Sequence, residues 1–323
     1  MSAPAWKQRP EGGGRGPVRL IAWLARNLGR AGVGWLLVPI TAYFLCVRGA
    51  ERRASRDYLS RVHGRPASLW QVARHIHTFA GTILDRVFML GGRMDQYRID
   101  SQGTEQLLQT LAQGRGALLF GAHLGSFDAL RAFGRQRPDI PIKVVLDISH
   151  NPAIAGLMNE LAPELAPCII DGGQDGTVIA LAMQQALEEG ARVCMRADRL
   201  GPGEPGVAAQ LLGGAVRMPA APWLLASALQ APVLLGFGLY RGGNHYTIVF
   251  EPFADTLRIP RRERAQQLPP LIDRYLARLE HHLRELPYNW FNFYDFWNAS
   301  ATDHAVPGRP AVPGPGQQQR QRG

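Results

Sequence analysis

Hydrophobic and polar positions alternate along the chain in blocks that predict an α/β domain. Short apolar runs predict buried strands at residues 117–120, 142–146, 168–170, 192–197 and 233–239, and a run at 246–250 predicts a strand antiparallel to the fifth. Apolar positions three and four apart predict helices at 66–90, 104–112, 127–133, 151–161, 176–189, 222–229 and 261–285. The pattern indicates the α/β fold class, with a largely parallel central sheet flanked by helices.

The N-terminal part of the chain has a different pattern, which predicts a membrane-anchor helical segment at 18–47. Arg19, Arg26 and Arg30 share one helical face, and 17 residues without charge follow at 31–47. A helix of that length reaches about 25 Å, less than the roughly 30 Å hydrocarbon core of a bilayer. Three alternatives remain open: a marginal span, a helix that dips into the bilayer, and a buried helix of the globular domain.

The remaining domain boundaries follow from composition. The Gly- and Pro-rich stretch 1–17 is predicted to be flexible, and the Pro-, Gly-, Gln- and Arg-rich tail 301–323 is predicted to be disordered. The α/β domain then covers residues 48–300. Cys46, Cys168 and Cys194 show no paired spacing, so we expect reduced core thiols on the cytoplasmic side of the membrane.

The chain is strongly basic, with a net charge of +10 and a pI near 10.1. Such a surface favours acidic partners, which include anionic lipid, nucleic acid and an acidic carrier protein. The sequence has no zinc-finger spacing and no RNP-like aromatic motif, so we expect no nucleic-acid partner and no metal.

The candidate chemistry lies where the strand at 117–120 passes through a turn into a helix. His123 falls in the turn, Ser126 fits an N-cap, and Asp128 falls in the first helical turn. In open α/β sheets, ligands bind at this carboxyl end of the strands. We expect Asp128 to accept a hydrogen bond from one imidazole nitrogen of His123, which leaves the other nitrogen as a general base. The structural alternative is an Asp that favours the helix dipole and a His hydrogen-bonded in the core.

A second polar pair follows the strand at 192–197 and is predicted to reach the same edge of the sheet. Asp198 and Arg199 either form an internal ion pair or bind substrate, with Arg199 near a phosphate or a developing oxyanion. Ser126 is a further candidate for substrate binding. Residues 201–206 match the G-x-G-x-x-G pattern of dinucleotide-binding loops. Two prolines interrupt the stretch and no helix follows it, so we predict a flexible loop near the site instead.

Several of these segments resemble a known family. His123-Leu-Gly-Ser-Phe-Asp128 resembles the His-x4-Asp motif of glycerolipid acyltransferases, and residues 120–128 more closely resemble the lipid A biosynthesis (lauroyl/myristoyl) acyltransferase-like branch. Ala197-Asp198-Arg199, residues 212–219 and residues 222–226 follow in the order of that branch. The aromatic segment 288–297 is similar to a bacterial subgroup associated with aryl-polyene pigments and amino-acid-containing lipids.

The resemblance implies a membrane-associated acyltransferase at the bacterial inner membrane, with its active site on the cytoplasmic side. It would move an acyl group from an acyl-carrier-protein or CoA thioester, as co-substrate rather than cofactor, to a hydroxyl or amine of a membrane lipid. No nucleophile motif such as G-x-S-x-G is present, so we expect no acyl-enzyme.

The sequence departs from the family at two places. Lipid A acyltransferases usually carry Glu in place of Asp128 and Asp-Gln in place of Asp198-Arg199. This difference favours an acceptor other than lipid A, such as a lysolipid, an amino-acid lipid or an aryl-polyene lipid. Two other functions remain open: a non-catalytic membrane-binding protein on the same scaffold, and a thioester or phosphate-ester hydrolase that uses His123 as a base toward water.

Overall fold

The computed structural model describes residues 29–30, 32–112, 116–136, 141–147, 156, 158, 160–201, 204 and 206–299. The predictions for residues 1–28 and for the tail 301–323 therefore lie outside the described residues. So do most of the helix predicted at 151–161 and part of the loop at 201–206.

The domain is built on a seven-stranded sheet and a separate hairpin. The strands are β1 (Arg98–Gln102), β2 (Ala117–Gly121), β3 (Ile142–Leu146), β4 (Ile169–Asp171), β5 (Arg192–Arg196), β6 (Val207–Leu211), β7 (Gly214–Met218), β8 (Val233–Gly242) and β9 (His245–Ala254). The sheet order is β1-β9-β8-β2-β5-β3-β4, and β6 pairs with β7. Within the sheet every neighbouring pair is parallel except β8 and β9.

The predicted α/β fold and all six predicted strands are confirmed, whereas β1 and the β6–β7 hairpin were missed. β1 reads Arg-Ile-Asp-Ser-Gln and leaves most of its residues exposed at the edge of the sheet, so it lacks an apolar run. β6 carries small side chains, and its exposed positions alternate with partly buried ones.

Helices flank the sheet. They are α1 (Leu37–Val47), α2 (Gly49–His63), α3 (Leu69–Leu90), α4 (Thr104–Ala112), α5 (Phe127–Gln136), α6 (Gly176–Glu188), α7 (Ala221–Leu229), α8 (Arg264–Glu285) and α9 (Phe296–Ala299). α1 lies within the predicted N-terminal segment, the six helices α3 to α8 lie close to their predicted positions, and α2 and α9 were not predicted. α3 starts three residues later than predicted because Ser68 caps it in a reciprocal capping box with Gln71.

The core has two layers, one on each face of the sheet. Along β2, Leu118 and Phe120 join one apolar cluster and Ala117 and Leu119 join the other. Side chains of a strand alternate between the two faces of the sheet, so a strand that is covered on both faces buries all its side chains. Every residue of β2 is buried for this reason, and the strand therefore reads as a continuous apolar run.

The described part of the N-terminal segment is helical but mostly outside the core. Thr41 is the only buried residue of α1, although Leu37, Phe44 and Leu45 pack against the two core clusters, and the three alternatives for this segment stay predictions. Within the described residues, no single helix is long and apolar enough to cross a membrane. The helices at 32–47 and 49–63 reach that length and apolar character only when taken together, and a bend of 95° separates them.

Two smaller predictions are corrected in this region. Arg30 was expected to face the bilayer, yet its Nε donates to the fully buried carboxylate of Asp85 at 2.8 Å. Of the three free cysteines only Cys194 is buried, whereas Cys46 is exposed on α1 and Cys168 is intermediate.

Candidate active site

The candidate site lies where the carboxyl ends of β2 and β5 meet. The two strands are parallel neighbours, and the backbone N–H of Ala197 donates to the carbonyl of Gly121 at 3.0 Å. His123 follows β2 by two residues, and Asp198 follows β5 by two residues. The prediction that His123 and Asp198 reach the same edge of the sheet is therefore confirmed.

Asp198 holds the imidazole of His123 in a defined orientation. The His123 Nδ1 lies 2.9 Å from Oδ1 and 3.1 Å from Oδ2 of Asp198, and the backbone N–H of His123 donates to Oδ2 at 2.9 Å. An ionised carboxylate only accepts, so Nδ1 carries the proton and Nε2 presents a lone pair. The Asp198 side chain is fully buried and that of His123 is 14% exposed.

Asp128 does not have the place that the sequence predicted for it. Its carboxylate accepts from Arg86 of α3 and from Arg131 at 2.8 Å, and within the described residues it makes no hydrogen bond to His123. The prediction that Asp128 orients His123 is wrong, because α5 begins at Phe127 and the first turn of this helix directs Asp128 toward α3. A catalytic role for Asp128 stays a prediction.

The turn between His123 and α5 depends on a glycine and a cap. Gly125 has φ +69°, and a Cβ at this position would lie 2.0 Å from the carbonyl oxygen of Gly238. The Ser126 hydroxyl accepts from the backbone N–H of Ala129 at 3.2 Å, so the predicted N-cap is confirmed. Ser126 is buried, and its predicted contact with substrate stays a prediction.

The aromatic segment near the C-terminus completes the site. The backbone N–H of Phe291 donates to the carbonyl of His123 at 2.7 Å, and the Asn292 amide donates to Oδ2 of Asp198 at 3.1 Å. The sequence analysis missed this role of Asn292. The signal was present, because Asn289 and Asn292 are buried amides within an otherwise aromatic run.

Two arginines flank the His–Asp pair. Arg199 donates through Nε to Oδ1 of Asn292 at 2.7 Å, and its guanidinium carbon lies 5.4 Å from the ring centre of Tyr294. Arg196, the last residue of β5, places Nη1 2.6 Å from Nε2 of His123. Arg199 was predicted as a site residue and lies at the site, whereas Arg196 at the end of β5 was missed because its contact with His123 has no local signature in the sequence.

The electrostatics of the site favour a neutral imidazole on His123 and ionised carboxylates on Asp198 and Asp128. Burial and the positive charges of Arg199 and Arg196 lower the pKa of His123, against the opposing effect of Asp198. Burial disfavours ionisation of Asp198, but His123 and Arg199 hold its pKa below the usual value. Arg86 and Arg131 likewise lower the pKa of Asp128 against the effect of its burial.

A separate group of side chains has the composition of a metal site. His281, His282 and Glu285 on α8 have potential ligand atoms within 4.8 Å of one another. His282 already contacts Glu251 through Nε2 at 2.9 Å, and Glu285 accepts from Arg241 at 2.6 Å. This group shares no residue with the site around His123.

The fold and the site together define an α/β protein with a candidate general base at the carboxyl edge of a mostly parallel sheet. A sequence model of the bacterial lipid A biosynthesis acyltransferase family matches residues 71–297, well over half of the chain, so the protein belongs to that family. A search of curated proteins finds no match. The matched range contains His123, Asp198 and Asn292. Family membership supports acyl transfer to a lipid-type acceptor, whereas the subgroup suggested by residues 288–297 stays a prediction.

Proposed function

We propose that this protein is a membrane-associated acyltransferase on the cytoplasmic side of the bacterial inner membrane. It moves a fatty acyl group from an acyl-carrier-protein or CoA thioester to a hydroxyl or amine of a lipid-type acceptor. The observation that carries the proposal is the His123–Asp198 pair at the carboxyl edge of the sheet, in a chain of the lipid A biosynthesis acyltransferase family.

In the proposed reaction, Nε2 of His123 removes the proton of the acceptor as the acceptor attacks the thioester carbonyl. The tetrahedral intermediate then collapses, the C–S bond breaks, and the thiolate takes up the proton from the imidazolium. The acyl group passes directly to the acceptor, so no acyl-enzyme forms.

The groups around His123 suit this chemistry. Asp198 fixes the tautomer and stabilises the imidazolium that forms when His123 takes a proton. Arg199 is held by Asn292 and Tyr294, and in the proposal its guanidinium interacts with the oxyanion or with a phosphate of a substrate. The lowered pKa of His123 keeps the base unprotonated at neutral pH.

For the acyl donor we propose a carrier protein ahead of free CoA. The chain carries a net charge of +10, and complementary charge accelerates the encounter between a basic enzyme and an acidic carrier.

Membrane association is supported by an exposed apolar face on α1. The exposed residues of this helix recur at the spacing of one helical face and carry no charge; they are Val38, Pro39, Ala42, Tyr43, Cys46 and Val47, with exposed Trp35 just before the helix. Arg48, which is ion-paired with Glu51, and the exposed Arg53 come next along the chain, where they can meet anionic headgroups. An apolar helix face with adjacent arginines suits the interface of an anionic bilayer.

The start of α3 extends this face. Thr41 contacts His77 at 3.2 Å and Leu37 lies against Gly81, so α1 and α3 run antiparallel. The same register brings the start of α3 beside the end of α1, and Trp70 there is 78% exposed. Trp is favoured at membrane interfaces, so we assign Trp70 to the membrane-contacting surface.

Product analysis tests the proposal against its alternatives. The purified protein is incubated with a carrier thioester bearing a labelled acyl chain and with vesicles of bacterial membrane lipid. Label in lipid supports the acyltransferase, and label released as free acid at the same rate with and without lipid indicates a hydrolase. An unchanged thioester in the presence of vesicle-bound, folded protein indicates the non-catalytic membrane-binding protein.

A further inference from the structure

His282, near the C-terminal end of α8, has one imidazole nitrogen that the fold does not use. The residue is 4% exposed, and its Nε2 lies 2.9 Å from Oε1 of Glu251. An ionised carboxylate only accepts, so Nε2 carries the ring proton and Nδ1 presents a lone pair. Within the described residues, this Nδ1 is buried and has no hydrogen-bond partner. Buried polar atoms are almost always paired, so the free lone pair points to a ligand.

Two further groups that can bind a metal ion surround this nitrogen. His281 precedes His282 in α8, and Glu285 lies about one helical turn after them. One potential ligand atom from each of the three residues lies within 4.8 Å of the other two. Oε2 of Glu285 is 3.8 Å from Nδ1 of His282, which is too far for a hydrogen bond but near the roughly 3.4 Å between two ligands of a tetrahedral ion. His281 and Glu285 are exposed, so their side chains can close the remaining gap.

The residues behind two of these ligands hold them in place. A histidine that binds a metal commonly donates its second ring N–H to a carboxylate, which fixes the tautomer and directs the lone pair. Glu251 of β9 has this place for His282, and Arg278 donates to Glu251 at 2.7 and 2.8 Å. Oε1 of Glu285 accepts from Arg241 of β8 at 2.6 Å, and Oε2 is the oxygen that faces His282. The imidazole and the carboxylate are therefore oriented before any ion binds.

The chemistry of the three groups selects the kind of ion. Two imidazoles and one carboxylate suit zinc, whereas Ca²⁺ and Mg²⁺ take mainly oxygen ligands. Three protein ligands leave the fourth tetrahedral position open. Water can fill this position, because His281 and Glu285 lie at the surface.

We propose that His281, His282 and Glu285 bind a zinc ion, with water as the fourth ligand and Glu251 as the carboxylate that orients His282. The ion fastens the C-terminal end of α8 to β8 and β9, the two strands whose side chains hold its ligands. It supports the fold and takes no part in the reaction proposed for His123. The proposal departs from the expectation of no metal, which rested on the absence of zinc-finger spacing in the sequence.

Zinc titration of the full chain tests the site. The protein is prepared without a histidine tag, treated with a chelator and titrated with Zn²⁺ in a calorimeter. We expect one tight zinc site per chain in native protein and its loss in His281→Gln and in Glu285→Gln. Both substituted residues are exposed, so neither change should unfold the protein. The control is His77→Gln, which removes another exposed histidine and should leave the zinc affinity at the native value.

Glu251→Gln separates a built site from incidental binding by surface histidines. Loss of the carboxylate that orients His282 should weaken zinc binding about 10–100-fold. At a concentration about tenfold above its Kd, zinc should also raise the melting temperature of native protein by about 3 °C or more, and should not raise that of His281→Gln.

Three results would overturn the proposal. The first is the absence of a tight zinc site in native protein, in which case His282 is held only by its contacts with the two glutamates. The second is an equal zinc affinity in native protein and in His281→Gln. The third is a zinc affinity that Glu251→Gln leaves unchanged, which indicates incidental binding by exposed side chains. Each measurement is independent of acyl transfer and therefore of the function proposed for His123.

Discussion

His123 and Asp198 lie 75 residues apart in the chain, yet Asp198 accepts hydrogen bonds from both the imidazole and the backbone N–H of His123. Oδ2 of Asp198 also accepts from the amide of Asn292. This double contact makes the pairing specific, because it fixes the backbone of the turn and the orientation of the ring at the same time.

Asp198→Asn should therefore abolish most of the activity without unfolding the protein. The new amide oxygen would stay on the backbone N–H of His123 and on Asn292, which turns the NH2 group toward Nδ1. The imidazole would then carry its proton on Nε2 and lose its function as a base. We expect kcat to fall about 10²–10⁴-fold in the carrier-thioester assay while the protein remains folded. Activity within threefold of native would contradict the orienting role of Asp198.

Asp128→Asn should lower the stability of the protein and reduce its activity less than Asp198→Asn does. Removal of this carboxylate leaves the partly buried Arg86 and Arg131 without their shared partner. We expect the free energy of unfolding, measured by urea titration, to fall by about 1–3 kcal/mol. The loss of activity per folded molecule should be smaller than that of Asp198→Asn. A larger loss than in Asp198→Asn would restore Asp128 to the role that the sequence first suggested.

Arg199 should control the pH dependence of the reaction. Its positive charge lowers the pKa of His123, so the base stays unprotonated further into the acid range. In Arg199→Gln the pKa of His123 rises, and the acidic limb of the kcat/KM profile should move to higher pH. Arg284→Gln, which removes an exposed arginine paired with Glu280, serves as the control and should leave the limb in place. A limb that stays in place or moves to lower pH in Arg199→Gln would contradict the assignment.

Two tryptophans in contrasting environments separate the core from the proposed membrane surface. Trp290 is fully buried against Tyr58 and Phe296, so Trp290→Ala should lower the free energy of unfolding by about 3–5 kcal/mol. Trp70 is 78% exposed, so Trp70→Ala should change stability by less than about 0.5 kcal/mol. Trp70→Ala should instead weaken sedimentation with anionic vesicles. Native vesicle binding by this variant would remove Trp70 from the membrane-contacting surface.

Prediction from sequence succeeded where one local pattern determines the structure. The apolar run of β2, the cap at Ser126 and the position of His123 all follow from short-range rules, and the structure has them as expected. The partner of His123 could not be read in the same way. The sequence analysis paired His123 with the carboxylate five residues away, whereas the parallel pairing of β2 with β5 brings Asp198, 75 residues away, to the imidazole.

The contribution of the C-terminal segment was beyond sequence reasoning for the same reason. The segment 288–297 holds too many aromatic residues for a solvated tail, which predicts packing on the core or contact with the membrane interface, and burial of Trp290 confirms packing on the core. That Asn292 reaches Asp198 depends on the pairing of Leu124 with Trp290, a tertiary contact with no local signature.

The most direct test of the account is the rate of labelled acyl transfer from a carrier thioester to membrane lipid by native protein and by His123→Ala. If His123 is the general base, the substitution should lower the rate about 10²–10⁴-fold while folding and vesicle binding remain native. A folded, vesicle-bound His123→Ala protein that transfers acyl groups at the native rate would contradict the proposed mechanism.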